Sequence, residues 1–473
     1  MTTADSTAAR RDRAPADGHQ DNRSPRPIPP QAPTPLRVVL LSYRSKPHGG
    51  GQGVYIRHLS RELSALGHHV EVISGQPYPD LDPGPILTRL PSLDLYREPD
   101  PFRVPHLREF TSSIDVLEFA LTGIGNFPEP MTFSLRAWRL LRSRNASEQP
   151  DIVHDNQTLG YGTLLMQRDD LSVVATVHHP ITVDRSLDTA AAPNSWRRFR
   201  VRQWYSFLRM QGRVVRRMPN IMTVSQSSHD DVIRDFNVDP DRLTVVPLGV
   251  QHDVFVPPTR PRIPGRIVAA ASADVALKGI IHLLEATAKL RTERDVELVI
   301  VGQAKKGGAT AKAIARLGLE DTVRFVSNVD ESELVELLGS AQVAVVPSLY
   351  EGFSLPSVEM MACATPLVAT TAGALPEVVG PHGEAALLVP PADVQALVSA
   401  IGHVLDDDEL ATQLGAAGRK RVLERYTWQV VAQRTADWYR DSLSQPPGQE
   451  TPRQSLHAPT QAHDADGNHH ADS

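Results

Sequence analysis

The chain has 473 residues, of which 41% are hydrophobic, and a formal net charge of −6. That length exceeds what one hydrophobic core serves, so two domains are expected, and the acidic balance gives no general case for nucleic acid. A single cysteine, Cys363, excludes a disulfide framework, no apolar run reaches the ~18–20 residues of a membrane span, and no signal-peptide apolar region opens the chain; a cytoplasmic location is expected.

Residues 1–35 are rich in Pro, Asp, Arg, Ser and Ala without periodicity and read as a disordered tail. Order begins with Arg37-Val38-Val39-Leu40-Leu41, a buried strand, followed by the glycine-rich loop Gly49-Gly50-Gly51-Gln52-Gly53. A helix is expected from about Val54 to Leu66, closed by Gly67, and then the strand His69–Ile73. This is a strand–helix–strand unit with glycines where such a unit meets a phosphate, although they do not spell the dinucleotide fingerprint. Further strands fall at 151–153, 173–177 and 221–224, and the segment Val245–Val250 leads into a Pro-rich linker at 256–264.

A second series starts with Arg266–Ala270 and continues through a helix at 279–291 and strands at 296–301, 323–326 and 343–346. Strands alternating with helices in two successive series predict two doubly wound α/β domains facing across a cleft. From about Ser444 the chain is again tail-like; His463, His469 and His470 read as a solvated tail rather than a metal site.

The segment Tyr350-Glu351-Gly352-Phe353-Ser354-Leu355-Pro356-Ser357-Val358-Glu359 carries the most chemistry. The apolar strand before it and Pro356 after it place Glu351 in a strand-to-helix loop and Glu359 on the helix. Free N–H groups of the helix N-terminus between them suit a phosphate, and the two carboxylates suit sugar and ribose hydroxyls.

The chain resembles the retaining two-Rossmann-domain (GT-B) glycosyltransferases of family 4, over about residues 36–440. The resemblance rests on six landmarks in order: the Gly50-Gly51 loop, Thr176-Val177-His178, Val246–Val250 with Phe255, Leu277-Lys278-Gly279, the E-x7-E pair Glu351/Glu359, and Ala372-Gly373-Ala374-Leu375-Pro376-Glu377. It implies an N-terminal acceptor-side domain (36–255), a donor domain (265–425), and a C-terminal helix (426–443) returning to the first domain before the tail at 444–473. It further implies that Glu359 holds the ribose, Glu351 the donor sugar, and Phe353, Ser354 and Leu355 sugar and phosphate through backbone groups. Lys278 would neutralise the diphosphate, Gly50 and Gly51 would let the backbone approach it, and His178 would sit over the donor sugar. His179 is left open and His154 reads as structural.

One departure stands out. An arginine that the family places five or six residues before the lysine falls here on Ala273 or Ser272, and Asp274 has the wrong sign for phosphate unless it orients Lys278. Lysine is scarce, with seven in the chain and none between Lys46 and Lys278, so Lys278 gains weight.

On the acceptor side, residues 195–217 read as a cationic, aromatic helix. It suits an anionic membrane surface or an acidic acceptor, with a solvated face as the plain alternative. The expected function is therefore retaining transfer of a hexose from a UDP- or GDP-sugar, without cofactor or metal, to an acceptor that is a lipid, a cell-envelope glycoconjugate or a polyol phosphate. The enzyme would be cytoplasmic, and peripheral on the inner membrane face if 195–217 is interfacial; nucleic acid is not an expected partner. Two alternatives share these features: a catalytically silent nucleotide-sugar-binding protein, and an epimerase or phosphorylase-like enzyme on the same architecture.

Overall fold

A computed structural model of the protein describes residues 34–46, 51–97, 100–271 and 273–444. Gly50, Ser272, residues 1–33 of the expected N-terminal tail and the three C-terminal histidines lie outside the described residues. The first series runs β1 (Arg37–Ser42), α1 (Gly51–Ala65), β2 (His69–Ser74), β3 (Ile86–Arg89), α2 (Ser113–Gly123), α3 (Glu129–Arg142), β4 (Ile152–Asn156) and α4 (Tyr161–Arg168). It continues with β5 (Val173–Val177), α5 (Thr182–Ala191), α6 (Ser195–Trp204), α7 (Phe207–Val215), β6 (Ile221–Thr223), α8 (Gln226–Phe236) and β7 (Leu243–Val245). These strands form one parallel sheet in the order β3-β2-β1-β4-β5-β6-β7.

The second series comprises β8 (Ile263–Ala270), α9 (Ile280–Leu290), β9 (Glu297–Val301), α10 (Ala309–Leu317), β10 (Val323–Val326), α11 (Glu331–Ser340), β11 (Ala341–Val346) and α12 (Leu355–Ala362). It is completed by β12 (Leu367–Thr370), α13 (Leu375–Val379), β13 (Leu387–Val389), α14 (Val394–Asp406), α15 (Asp408–Arg425) and α16 (Trp428–Ser444). Its sheet, also parallel, has the order β10-β9-β8-β11-β12-β13. Helices cover both faces of each sheet, so the central strands are buried throughout, as in β5, and read as continuous apolar runs.

The strand order reverses direction between β1 and β4 in one sheet and between β8 and β11 in the other. Loops leaving the carboxyl ends of such strands diverge and open a crevice, which is where open α/β sheets bind ligands. Both crevices face each other, so the topology alone selects the loops after β1, β4, β8 and β11.

Three features depart from the sequence reading. α1 begins at Gly51, inside the expected glycine loop, three residues before Val54. β8 begins at Ile263, inside the expected linker, because Ile263 pairs with Ala341 and a bulge before the Ile267–Val343 pair absorbs Pro264 and Gly265. The cationic segment 195–217 is two helices rather than one: α6 buries no residue, whereas α7 buries Leu208, Met210, Val214 and Val215.

The last helix, α16, packs on α1 of the first domain. Trp428 lies edge-on to Tyr55 (5.9 Å between ring centroids) and against His58 (5.3 Å). The buried Tyr439 hydroxyl meets His154 Nδ1 at 2.6 Å, and His154 Nε2 meets Thr176 Oγ1 at 2.6 Å. His154 is thus fixed at both nitrogens, and burial lowers its pKa to about 3, so it is a neutral core group.

Candidate functional site

The donor side is built around the loop that leaves β11. Glu351 Oε1 accepts from Ser348 Oγ (2.7 Å) and from Lys278 Nζ (2.8 Å), which fixes the carboxylate and the ammonium together. Their side chains are 9% and 31% exposed, so the pair is half-open to the crevice rather than sealed in the core.

Two glycines clamp this pair in place. Gly279 has φ +64°, and a Cβ there would lie 1.9 Å from the Pro347 carbonyl oxygen. Gly373, at φ +56°, would set a Cβ 2.2 Å from the carbonyl oxygen of Glu351, while the Ala374 N–H donates to that oxygen at 2.9 Å. The Lys-Gly and Ala-Gly-Ala-Leu-Pro-Glu landmarks are therefore packing requirements: only a residue without Cβ lets these turns close on the Glu351 loop.

Ser354 caps α12 with φ +83°, a left-handed conformation that costs a non-glycine residue energy and is held by its Oγ contact to Ser357 Oγ (2.8 Å). The first N–H groups of α12, beside this turn, have no acceptor within the helix. Glu359 lies one turn further along α12. Burial, with a smaller contribution from Glu331, raises its pKa to about 7.

The acceptor side supplies His178 at the end of β5. Its Nε2 is hydrogen-bonded to Asn156 Oδ1 (2.7 Å), its backbone N–H donates to Gln157 Oε1 (2.8 Å), and the Tyr55 ring meets it edge-on at 4.8 Å. Burial, and secondarily His179, lowers the His178 pKa to about 3, so the imidazole is neutral at physiological pH. The neighbouring His179 places its Nε2 3.5 Å from Asp184 Oδ2.

The two domains touch directly at Gly352. Its carbonyl oxygen accepts from Ser225 Oγ (2.5 Å) and Ser228 Oγ (3.1 Å), and Ser228 Oγ also donates to the His178 carbonyl (2.9 Å). Nearby, the Tyr350 hydroxyl donates to Asp231, and the Gln226 N–H donates to Glu377 Oε2 at 2.7 Å.

Behind this contact is a cavity of about 420 Å³ lined from both domains. Gly51, His178, Lys278, Glu351, Phe353, Ser354 and Leu355 all border it. Glu359 does not; it is set back along α12, and Gly50 lies outside the described residues. Gln157, which also borders the cavity and grips both His178 and His179 by backbone hydrogen bonds, was not singled out from the sequence. Its position just after β4, beside the strand-order reversal, was the available signal.

The condition under which Asp274 would serve the phosphate, orienting Lys278, is not met. The Asp274 carboxylate accepts from the backbone N–H groups of Lys305 and Thr310 (the latter 3.2 Å), so it caps α10 and does not orient Lys278. Ala273 beside it is buried and brings no charge to the cavity.

Two family models match the chain: Glycosyltransferase Family 4 over residues 49–254 and Glycosyl transferases group 1 over residues 263–421. Over 410 residues the chain is 55% identical to the MMP alpha-(1->4)-mannosyltransferase of Mycolicibacterium hassiacum, spanning 86% of this chain and 99% of that protein. This chain is a family 4 glycosyltransferase. The glycosyltransferase is also 29% identical over 426 residues to the glycogen synthase of Mycobacterium tuberculosis, covering 85% of this chain and 94% of that one. Its fold matches that of the sucrose-phosphate synthase from Thermosynechococcus elongatus, with a TM-score of 0.63 and 23% identity over 85% of this chain and 98% of that one. Two parallel-sheet α/β domains facing one cleft are the GT-B fold.

Proposed function

We propose that this glycosyltransferase forms α-(1→4)-mannosidic bonds, moving mannose from a nucleoside-diphosphate mannose to the 4-hydroxyl of an acceptor sugar with retention of configuration. The observation that supports the donor and linkage is the 55% identity to an enzyme named for that reaction, running through both domains. The cavity supports the chemistry. Lys278 sits where a leaving diphosphate gains charge, and a fixed cation there stabilises the transition state more than the ground state. Glu351 is already oriented by Ser348 and Lys278 to accept sugar hydroxyls. The neutral His178, with its Nε2–H given to Asn156 Oδ1, has Nδ1 left to accept a hydrogen bond from a sugar hydroxyl. In this reading the bond from C1 to the phosphate oxygen breaks as the acceptor O4 bonds C1 on the same face. The acceptor proton passes to the leaving phosphate.

The deciding experiment incubates the purified protein with GDP-mannose, UDP-mannose and UDP-glucose, each with an α-(1→4)-mannooligosaccharide. One mannose donor should release its nucleoside diphosphate and give an α-linked product by NMR. A β-linked product would reject retention, and donor binding without turnover on any acceptor would favour the silent binding protein.

A second reading concerns location, and rests on α6. Trp196 (66% exposed) and Phe199 (53% exposed) stack at 5.7 Å on the outer surface of a helix that carries four arginines. Aromatic rings flanked by arginines suit the surface of an anionic bilayer. Among the described residues no helix is long and apolar enough to cross a membrane, so such an attachment would be peripheral. Co-flotation with phosphatidylglycerol vesicles at low salt, lost in 0.5 M salt and absent on phosphatidylcholine, is the expected result; no flotation at low salt removes this reading.

A further inference from the structure

A concavity of about 530 Å³ lies between α5, α6 and α7, and Arg185, Arg198, Arg202 and Arg209 all border it. They come from three different helices. Arg198 and Arg202 are four residues apart on α6, where like charges share one face and destabilise the helix. Among the described residues none of the four has a carboxylate partner. The surrounding sequence reinforces this: from Thr189 to His229 there are eight arginines and no Asp or Glu, in a chain whose net charge is −6. The two acids of α5 face elsewhere: Asp188 accepts from the Tyr205 hydroxyl at 2.7 Å and borders a neighbouring groove, and Asp184, beside Arg185, lies 3.5 Å from His179 and lines the donor cavity.

The geometry points to an oxyanion-binding site at this concavity, for a phosphate- or sulfate-bearing ligand, separate from the place where the donor diphosphate binds. Guanidinium groups present planar pairs of N–H donors that match tetrahedral oxyanions. A concave wall of one sign also focuses the potential more than a convex, solvated face does. Ser186, Thr189 and Ser206 add neutral hydroxyls at its edge. The opposite side of the first turn of α5 carries Val183 and Asp184, which line the donor cavity. The two sites are therefore separated by roughly one helix diameter, about 10–12 Å. An anion here is too far to react, but it is close enough to belong to an extended acceptor or to bias α5.

The test uses inorganic pyrophosphate as the probe, titrated by calorimetry into full-length protein whose donor site is saturated with nucleoside diphosphate. Wild type should bind it. Arg198→Gln/Arg202→Gln should weaken binding at least tenfold, and so should Arg185→Gln/Arg209→Gln on the other two helices. Arg197→Gln/Arg200→Gln removes the same charge from α6 but faces the neighbouring groove, and should change affinity by less than twofold. No binding to wild type, or an equal loss in all three double variants, would overturn the site. Kinetics then separate the sources. Pyrophosphate that competes with a phosphorylated acceptor identifies an acceptor subsite, whereas pyrophosphate that alters turnover on a neutral acceptor identifies a free-anion site.

Discussion

At the scale of single residues, the pair Lys278–Glu351 and the carboxylate Glu359 carry separable predictions. Lys278→Ala removes a charge-assisted contact worth roughly 1.5–3 kcal/mol, so kcat/KM should fall about 10- to 100-fold, with Lys278→Arg recovering part of it. Steady-state kinetics with the preferred donor measure this, and equal rates for all three forms would show that another cation serves the phosphates. Glu359 gives a pH signature. Its carboxyl is protonated in the free enzyme below its raised pKa of about 7, whereas in the role that the family resemblance implies for Glu359 the ribose hydroxyls would donate to the ionised form. Donor affinity should therefore tighten as pH rises from 6 to 7 and level off above, and Glu359→Gln should flatten the profile. The same shift acts on stability with opposite sense. The folded state holds a proton that the unfolded state has lost between about 4.5 and 7, so stability falls as pH rises through that window. Much of this site was legible in the sequence, because an apolar strand, a glycine turn and Pro356 fixed where Glu351 and Glu359 sit on their loop and helix. The set-back of Glu359 from the cavity was not legible, since spacing along a helix gives a direction but not a depth. The partners of Asp274 were not legible for a related reason: the N–H groups of Lys305, before α10, and Thr310, in its first turn, lie 31 and 36 residues away.

At the scale of elements, the contact of α8 with the Glu351 loop is the part that no pattern in the chain announced. Ser225 and Ser228 look like ordinary N-terminal capping residues, and Ser225 does cap α8 by accepting from the Ser228 N–H at 2.9 Å. Their second task, holding the Gly352 carbonyl of the other domain, depends on the docked arrangement. Ser228→Ala deletes the bonds to both Gly352 and His178, one of which has no replacement. A hydrogen bond of this kind is worth about 1 kcal/mol, so the donor KM should rise about fivefold with the melting temperature nearly unchanged. An unaltered KM would mean that the closed contact plays no part in holding the donor. The division of 195–217 into α6 and α7 was hidden for a similar reason. Arginine and aromatic residues continue through the break at Tyr205-Ser206, and only burial separates a helix that packs from one that does not.

At the scale of the whole molecule, two doubly wound domains could be read because parallel strands are apolar throughout and their helices carry periodic apolar faces. The return of the last helix to the first domain was implied by the family resemblance; what escaped was the bond that fastens it there. Tyr439, nearly 300 positions after His154, completes that histidine's hydrogen bonding. Tyr439→Phe leaves a buried nitrogen unpaired at a cost of about 1–3 kcal/mol. The denaturant midpoint should drop with an unchanged slope, and an unshifted midpoint would show that the α16 bond is dispensable. The return of α16 also sets how the molecule can flex. The polypeptide passes between domains twice, outward after Val250 and back at Thr427, and the passes are stitched side by side: Val250 pairs with Thr427, and the Val250 N–H donates to the Tyr426 carbonyl at 2.7 Å. Trp428 fills the notch at Gly249, where a Cβ would come within 2.7 Å of its ring. Two crossings bonded edge to edge resist twisting of one domain against the other more than a single linker would, and so hold Lys278 and His178 in one registration across the cleft.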